Sequence, residues 1–372
     1  MARASTLALL VAALAAAGCD SPDPVDPTPV ATAASPVRPK AADGATVTVL
    51  ATGLMFPRGL AFRGRDVFVA EAGSGGPNAT TASQCAQVVP PIGPYTNGPT
   101  GRISRIGPDG HRSTVASGFP SALDPLGDVS GVADLAFLGD QLLALVSGGG
   151  CSHGNASVPA GIATVSPSGD WSIVADLSAF QAAHPVAQPF AGDFEPDGTW
   201  YSMIRAFGAL YAIEPNHGEV VRIDPRTWAV ARVTDVSASQ GHIVPTTIAK
   251  RADDLFFSNL GTFPVEPGSE KVFRLSRTGA LSLLAGGFTT VLGLDFDPQG
   301  RLYVLETSPA AGFPTPGIGR VVRVGRDGTR EVIVDGLFFP TAMRFGPDWK
   351  LYISNKGFGP PQPGELLRVD VR

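Results

Sequence analysis

From residue 46 onward the chain is built of short runs in which apolar and polar residues alternate, and the runs come in fours. The clearest set spans residues 290–336: TVLGLDFDPQGRLYVLE, a loop, then GRVVRVGRDGTREVIVDG. Alternation with period two over five to eight residues marks a half-buried strand. The DPQG and GRDG tetrapeptides supply tight turns between strands. Variants of this unit recur. The first holds GLAF, DVFVAE, GRISRIGPDG and STVA; the second VADLAFLGD, LLALVS, GIATVSPSG and SIVADL. The third holds TWYSMIRA, ALYAIE, GEVVRIDP and VARVTDV, and the fourth TTIAK, DLFFSN, EKVFRLSRTG and LSLLAG. A spacing of roughly 45–50 residues in the later units is that of a four-stranded propeller blade.

The two ends of the array carry complementary defects. TVTVL followed by ATGL matches the last strand of a unit that lacks its first three strands; FPTAMRF, KLYISN and GELLRVDV at the other end form a unit that lacks its last. One N-terminal strand would complete the final blade and remove the open edge. The expected fold is therefore all-β, a six-bladed β-propeller of four-stranded blades closed by its own N-terminal strand.

Composition adds the flanking organisation. With 45 Gly, 34 Pro and 44% hydrophobic residues the chain reads as turn-rich β structure rather than disorder. The formal net charge of -5, without a basic run, gives no expectation of a nucleic-acid partner. Residues 1–19 read as an export signal, with Arg3 followed by an apolar run too short to span a membrane comfortably. The run ends in Ala16-Ala17-Gly18-Cys19, which resembles a bacterial lipobox without its usual Leu. Cys19 is thus the candidate lipidation site, with ordinary signal cleavage as the alternative. Residues 20–44, rich in Pro, Ala, Asp and Thr, read as a disordered tether, and residues 45–372 as the propeller. The expectation is an exported monomer touching a membrane only through a lipid anchor.

LATGLMFPRGLAF, the GRLYVLE-type strands, the long cysteine-bearing loop after the first of them, and ALYAIEPNHGEVVRID together resemble the ScyD/ScyE family of secreted propeller proteins, over about residues 46–372. The family stands with NHL-type and lactonase-like six-bladed propellers. The resemblance implies the fold and export; it implies no particular reaction.

The last residues of the second strands form a matched set: Glu71, Ser147 (shifted by one), Glu214, Asn259, Glu306 and Asn355. In a closed ring they approach one face, which the long loops that follow them would build. Glu71, Glu214, Asn259, Glu306 and Asn355 offer the oxygen donors that Ca²⁺ takes, and lactonase-like propellers hold calcium with such residues. Two carboxylates about 8 Å apart would repel by roughly 2 kcal/mol at an effective dielectric of 20, which a cation would relieve. The alternative is that these are ordinary polar residues where strands leave a sheet. His217, in EPNHG, is a candidate general base or simply part of a tight turn. Arg58 and His242 precede first strands and are candidates for the same face. Cys85 and Cys151 fall in the loops of the first two blades, either as a disulfide or as two free thiols. No HExxH motif occurs.

Three functions follow as expectations. The first is a binding module for a small molecule or protein at the long-loop face. The second is a calcium-dependent lactonase or related hydrolase. The third is a purely structural surface protein.

Overall fold

The computed structural model describes residues 39–42, 44–360 and 362–371. The export segment, Cys19 and most of the expected tether lie outside them. Six antiparallel sheets follow one another along the chain. Blade 1 runs Pro57–Arg63, Asp66–Glu71, Thr96–Ile106 and Arg112–Leu123; blade 2 runs Val132–Leu138, Gln141–Val146, Gly161–Val165 and Trp171–Asp176. Blade 3 runs Ser202–Ala206, Ala209–Glu214, Glu219–Ile223 and Val230–Asp235; blade 4 runs Pro245–Arg251, Asp254–Asn259, Glu270–Leu275 and Leu281–Phe288. Blade 5 runs Val291–Phe296, Leu302–Glu306, Gly319–Val324 and Arg330–Leu337. In blade 6, Ala342–Phe345, Leu351–Asn355 and Gly364–Asp370 are joined by the N-terminal strand Thr46–Leu54 as the outermost member.

That last pairing closes the ring as expected, with Thr46 opposite Asp370 and Leu54 opposite Gly364. One expectation needs correction. The stretch read as tether does not stop short of the domain, because Lys40–Ala41 pairs with Asp335 and Val334 as a fifth strand of blade 5. The N-terminal chain therefore bridges blades 5 and 6 and covers an edge that would otherwise stay open.

Burial follows strand position. All five residues of Leu302–Glu306 and of Leu351–Asn355 are buried, as in a strand with neighbours on both faces. Outer strands such as Arg330–Leu337 expose half of their residues, and carry register shifts that add twist. Between blades, an aromatic near the end of one first strand packs on a second-strand aromatic next door. Phe296 meets Phe256 at 4.9 Å, Phe345 meets Tyr303 at 5.0 Å, Phe137 meets Phe68 at 5.0 Å, and Phe62 meets Tyr352 at 5.1 Å, all edge-on.

The connections from second to third strands and from blade to blade share one face. Cys85 and Cys151 form a disulfide there, joining the loops of blades 1 and 2 across 66 residues of sequence. Replacing both by Ser should lower the unfolding free energy by about 3 kcal/mol through loss of loop closure in the unfolded chain. Denaturant titration would measure that loss, and a thiol assay on unreduced, denatured wild-type protein should find neither cysteine reactive.

Candidate binding face

The side chains of the matched strand-end residues, Ser147 aside, are engaged by groups of their own blade and of the connections leading into it. Glu71 is fully buried. Its carboxylate accepts from the Met55 N–H at 2.6 Å, from Arg102 at 2.8 Å, from Arg112 at 3.1 Å, and from the Ser104 hydroxyl. Glu306 accepts from the Thr289 N–H at 2.7 Å and from Arg320. Asn355 accepts from the Phe338 N–H at 2.9 Å and donates to Glu365 at 2.9 Å. Asn259 donates to the Ile243 carbonyl at 3.1 Å and to Glu270. Glu214 accepts from the Thr199 N–H at 2.8 Å and the His217 N–H at 2.6 Å. At Ser147 it is the backbone N–H that donates, to the Gly131 carbonyl at 2.7 Å.

The repetition has a local cause. In blades 1, 4 and 5 the residue just ahead of the first strand has positive φ (Phe56 at 49°, Val244 at 57°, Thr290 at 46°), and in blade 6 Phe339, three residues ahead, has φ 44°. Bulky or β-branched residues rarely adopt that conformation, and each costs about 1–3 kcal/mol unless its surroundings enforce it. The strand-end side chain holds the backbone one residue upstream, at Met55, Ile243, Thr289 and Phe338. The carbonyls of Phe56, Val244 and Thr290 in turn accept from Ala72, Leu260 and Thr307. In blades 1, 4, 5 and 6 the polar strand end is a repeated latch on a strained turn.

Glu71, Glu214, Asn259, Glu306 and Asn355 therefore do not fit a shared calcium ion. The Glu71 and Glu306 carboxylates are already paired with guanidinium groups, and no hydrogen bond or ion pair joins any two of the five among the described residues. No group of three or more His, Cys, Asp or Glu among the described residues is arranged to hold a metal. Burial pushes the Glu71 carboxyl above its ordinary range, and Ser104, the Met55 N–H and Arg102 reverse only part of that.

The channel between the first strands is filled by residues that the strand-end pattern does not reveal. Tyr201 of blade 3 spans it to donate to the Thr341 carbonyl of blade 6 at 2.7 Å. Arg58 lies beside it and donates to Asp128 at 2.9 Å and to the Val129 carbonyl at 2.7 Å. In a second layer Arg344 of blade 6 donates to the Leu60 carbonyl at 2.8 Å and to Asp134 of blade 2 at 3.2 Å. Asp134 also accepts from the Ser202 hydroxyl at 3.0 Å and the Met203 N–H at 2.8 Å. A Cβ on Gly59 would fall 2.0 Å from Asp134 Oδ1, so only glycine fits beside it. These layers leave a cavity of about 20 Å³ on the axis, room for about one water.

Above this plug, residues 184–198 cross the long-loop face between blades 2 and 3. His242 holds the segment at Asp193 (3.1 Å) and stacks on Phe190. His217 is buried and its Nε2 meets the Glu195 carbonyl at 2.8 Å, so that nitrogen donates. His217 thus helps to hold the segment through that nitrogen. The Glu195 carboxylate receives Tyr95 from blade 1 at 2.9 Å and faces His153 Nε2 from blade 2 at 2.9 Å. His153 is fully buried; burial would depress its pKa, but Glu195 and the Gly149 carbonyl outweigh it and raise the value. A raised pKa means stability that is complete below the unfolded value of about 6.5 and lost as pH rises through the folded one. The stability gap between wild type and Glu195→Gln should therefore narrow from pH 6 to pH 9, as followed by urea unfolding.

Sequence reading placed Arg58 and His242 on this face but missed Asp128, Tyr201, Glu195 and His153. The two acids of Asp124-Pro125-Leu126-Gly127-Asp128, around a turn ahead of a first strand, were one signal present, and the pentapeptide Gly150-Cys151-Ser152-His153-Gly154 was another.

The sequence matches no family model and no curated protein. Solved structures share the architecture. A gluconolactonase from Xanthomonas campestris is 13% identical, covers 91% of this chain and 96% of its own, and has a TM-score of 0.52. Regucalcin, a calcium-binding protein from Agrobacterium tumefaciens, is 14% identical over 87% of this chain and 94% of its own, with a TM-score of 0.51. A carbohydrate-active enzyme of family AA12 from Trichoderma reesei is 11% identical over 92% of this chain and 100% of its own, with a TM-score of 0.53. At such identities the likeness establishes the six-bladed propeller fold alone.

Proposed function

We propose that this chain is an exported, lipid-anchored propeller of the ScyD/ScyE type that binds a small molecule or a protein on its long-loop face. The observation that carries the reading is the apolar rim of that face. Val89, Leu126, Phe190, Phe263 and Phe313 all sit on its connections and are all exposed, and Phe263 stacks on Phe313 from the neighbouring blade. Below them lies the polar floor of Arg58, Asp128 and Tyr201. Exposed apolar side chains above a few fixed polar groups are what a recognition surface requires. The disulfide accords with export.

A second reading, a lactonase like the Xanthomonas neighbour, draws on Asp124. Burial and the adjacent Asp128 push its pKa up to about 6, near the working range of a general acid. A thermal-shift screen of metabolites and lactones, run on wild type and on Phe263→Ser/Phe313→Ser, tests the main reading. It predicts a stabilising ligand whose effect the double variant loses while its own unfolding temperature stays unchanged. Lactone turnover that stops with Asp124→Asn, in protein carrying an intact rim, would replace binding by hydrolysis.

A further inference from the structure

At the end of the channel opposite the long loops the first strands splay into an open cavity of about 320 Å³. This is within the size range of small-ligand sites. Its walls are apolar, with Phe62, Leu135, Phe137, Ile204, Ile248 and Leu294 among them. Its charged groups are unequal. Arg344 at the inner end is already tied to Asp134 and the Leu60 carbonyl. Asp295, the acid in the lining, is also spent: its two carboxylate oxygens accept from the Phe296 and Phe345 N–H groups, each at 2.8 Å. Arg205 and Lys250, from the first strands of blades 3 and 4, are exposed and have no hydrogen-bond or ion-pair partner among the described residues. The Lys250 ammonium lies 5.3 Å over the Phe207 ring, which leaves its charge uncompensated by any acid.

We infer that this cavity is a binding site for a small monoanion with an apolar body, a carboxylate whose head meets Arg205 and Lys250 while its body lies against the aromatic and aliphatic walls. Two unpaired cations beside an apolar recess, with the one acid saturated by backbone donors, select negative over neutral ligands. An anionic head gains charge-assisted hydrogen bonds that a neutral head does not. The plug of Arg58, Tyr201, Asp134 and Arg344, which encloses a cavity of only about 20 Å³, lies between the site and the opposite face. The inference is thus independent of the function proposed for the long loops.

The probe is 2-naphthoate, with neutral 2-naphthamide as its isosteric control, titrated into the full chain by calorimetry. The site predicts one saturable molecule of 2-naphthoate per chain, binding that weakens with added salt, and at least tenfold weaker binding of the amide. Arg205→Ala/Lys250→Ala should lose at least tenfold in naphthoate affinity with an unchanged unfolding temperature, both side chains being exposed. Phe263→Ser/Phe313→Ser, on the other face, should bind naphthoate as wild type does. Equal binding of acid and amide, undiminished binding in the Arg205/Lys250 variant, or loss of binding in the long-loop variant would each overturn the assignment.

Discussion

Asp134→Ala should lower the unfolding free energy by about 4 kcal/mol, because removing one member of a buried ion pair strands the other. Asp134 of blade 2 is buried on the axis and holds groups from two other blades: Ser202 and the Met203 N–H from blade 3 and Arg344 from blade 6. Burial raises its own pKa, and Arg344 and the Met203 and Leu135 N–H groups counter that in part. The loss expected on truncation is therefore mainly the cost of the donors left behind, not the net worth of the pair. A cycle with Arg344→Ala, followed by urea unfolding, should show the double variant losing clearly less than the sum of the two single changes. Additive losses would mean that the two side chains act separately.

Glu71→Ala should cost about 3 kcal/mol, since it frees two guanidinium groups that are about one-fifth exposed and one backbone N–H at a strained turn. Glu306→Ala, which frees a more exposed guanidinium and one N–H, should cost about 2 kcal/mol. Asn355→Ala, which loses one bond from a backbone N–H and one to the Glu365 carboxylate that Lys356 still pairs, should cost about 1 kcal/mol. The order of these three follows from the latch and from nothing else in their sequence positions. Unfolding of the three variants under one set of conditions measures it.

The blades and their closure were legible because a repeat exposes its own defects. A strand without predecessors and a unit without its last strand can only complete one another. The strand-end positions were legible for the same reason, by alignment of second strands. Their partners were not. Arg102 and Arg112 lie 31 and 41 residues beyond Glu71, and no period marks them as its neighbours. The axial tie between Asp134 and Arg344 joins residues 210 apart in different blades. The segment that carries Glu195 has no alternation at all, so its path, and the anchoring role of His217 and His242, could not be read. One further sign was present unread: Met55-Phe56-Pro57, Ile243-Val244-Pro245 and Phe338-Phe339-Pro340 recur where the strained turns form.

The central claim is that the matched polar residues hold turns rather than an ion. Thermal unfolding of wild type and of Glu71→Gln/Glu306→Gln, each in excess calcium and in chelator, tests it directly. The latch predicts that the double variant melts lower by the same interval in both solutions. A wild-type midpoint raised by calcium, with the increment lost in the double variant, would contradict it and return the strand ends to metal binding.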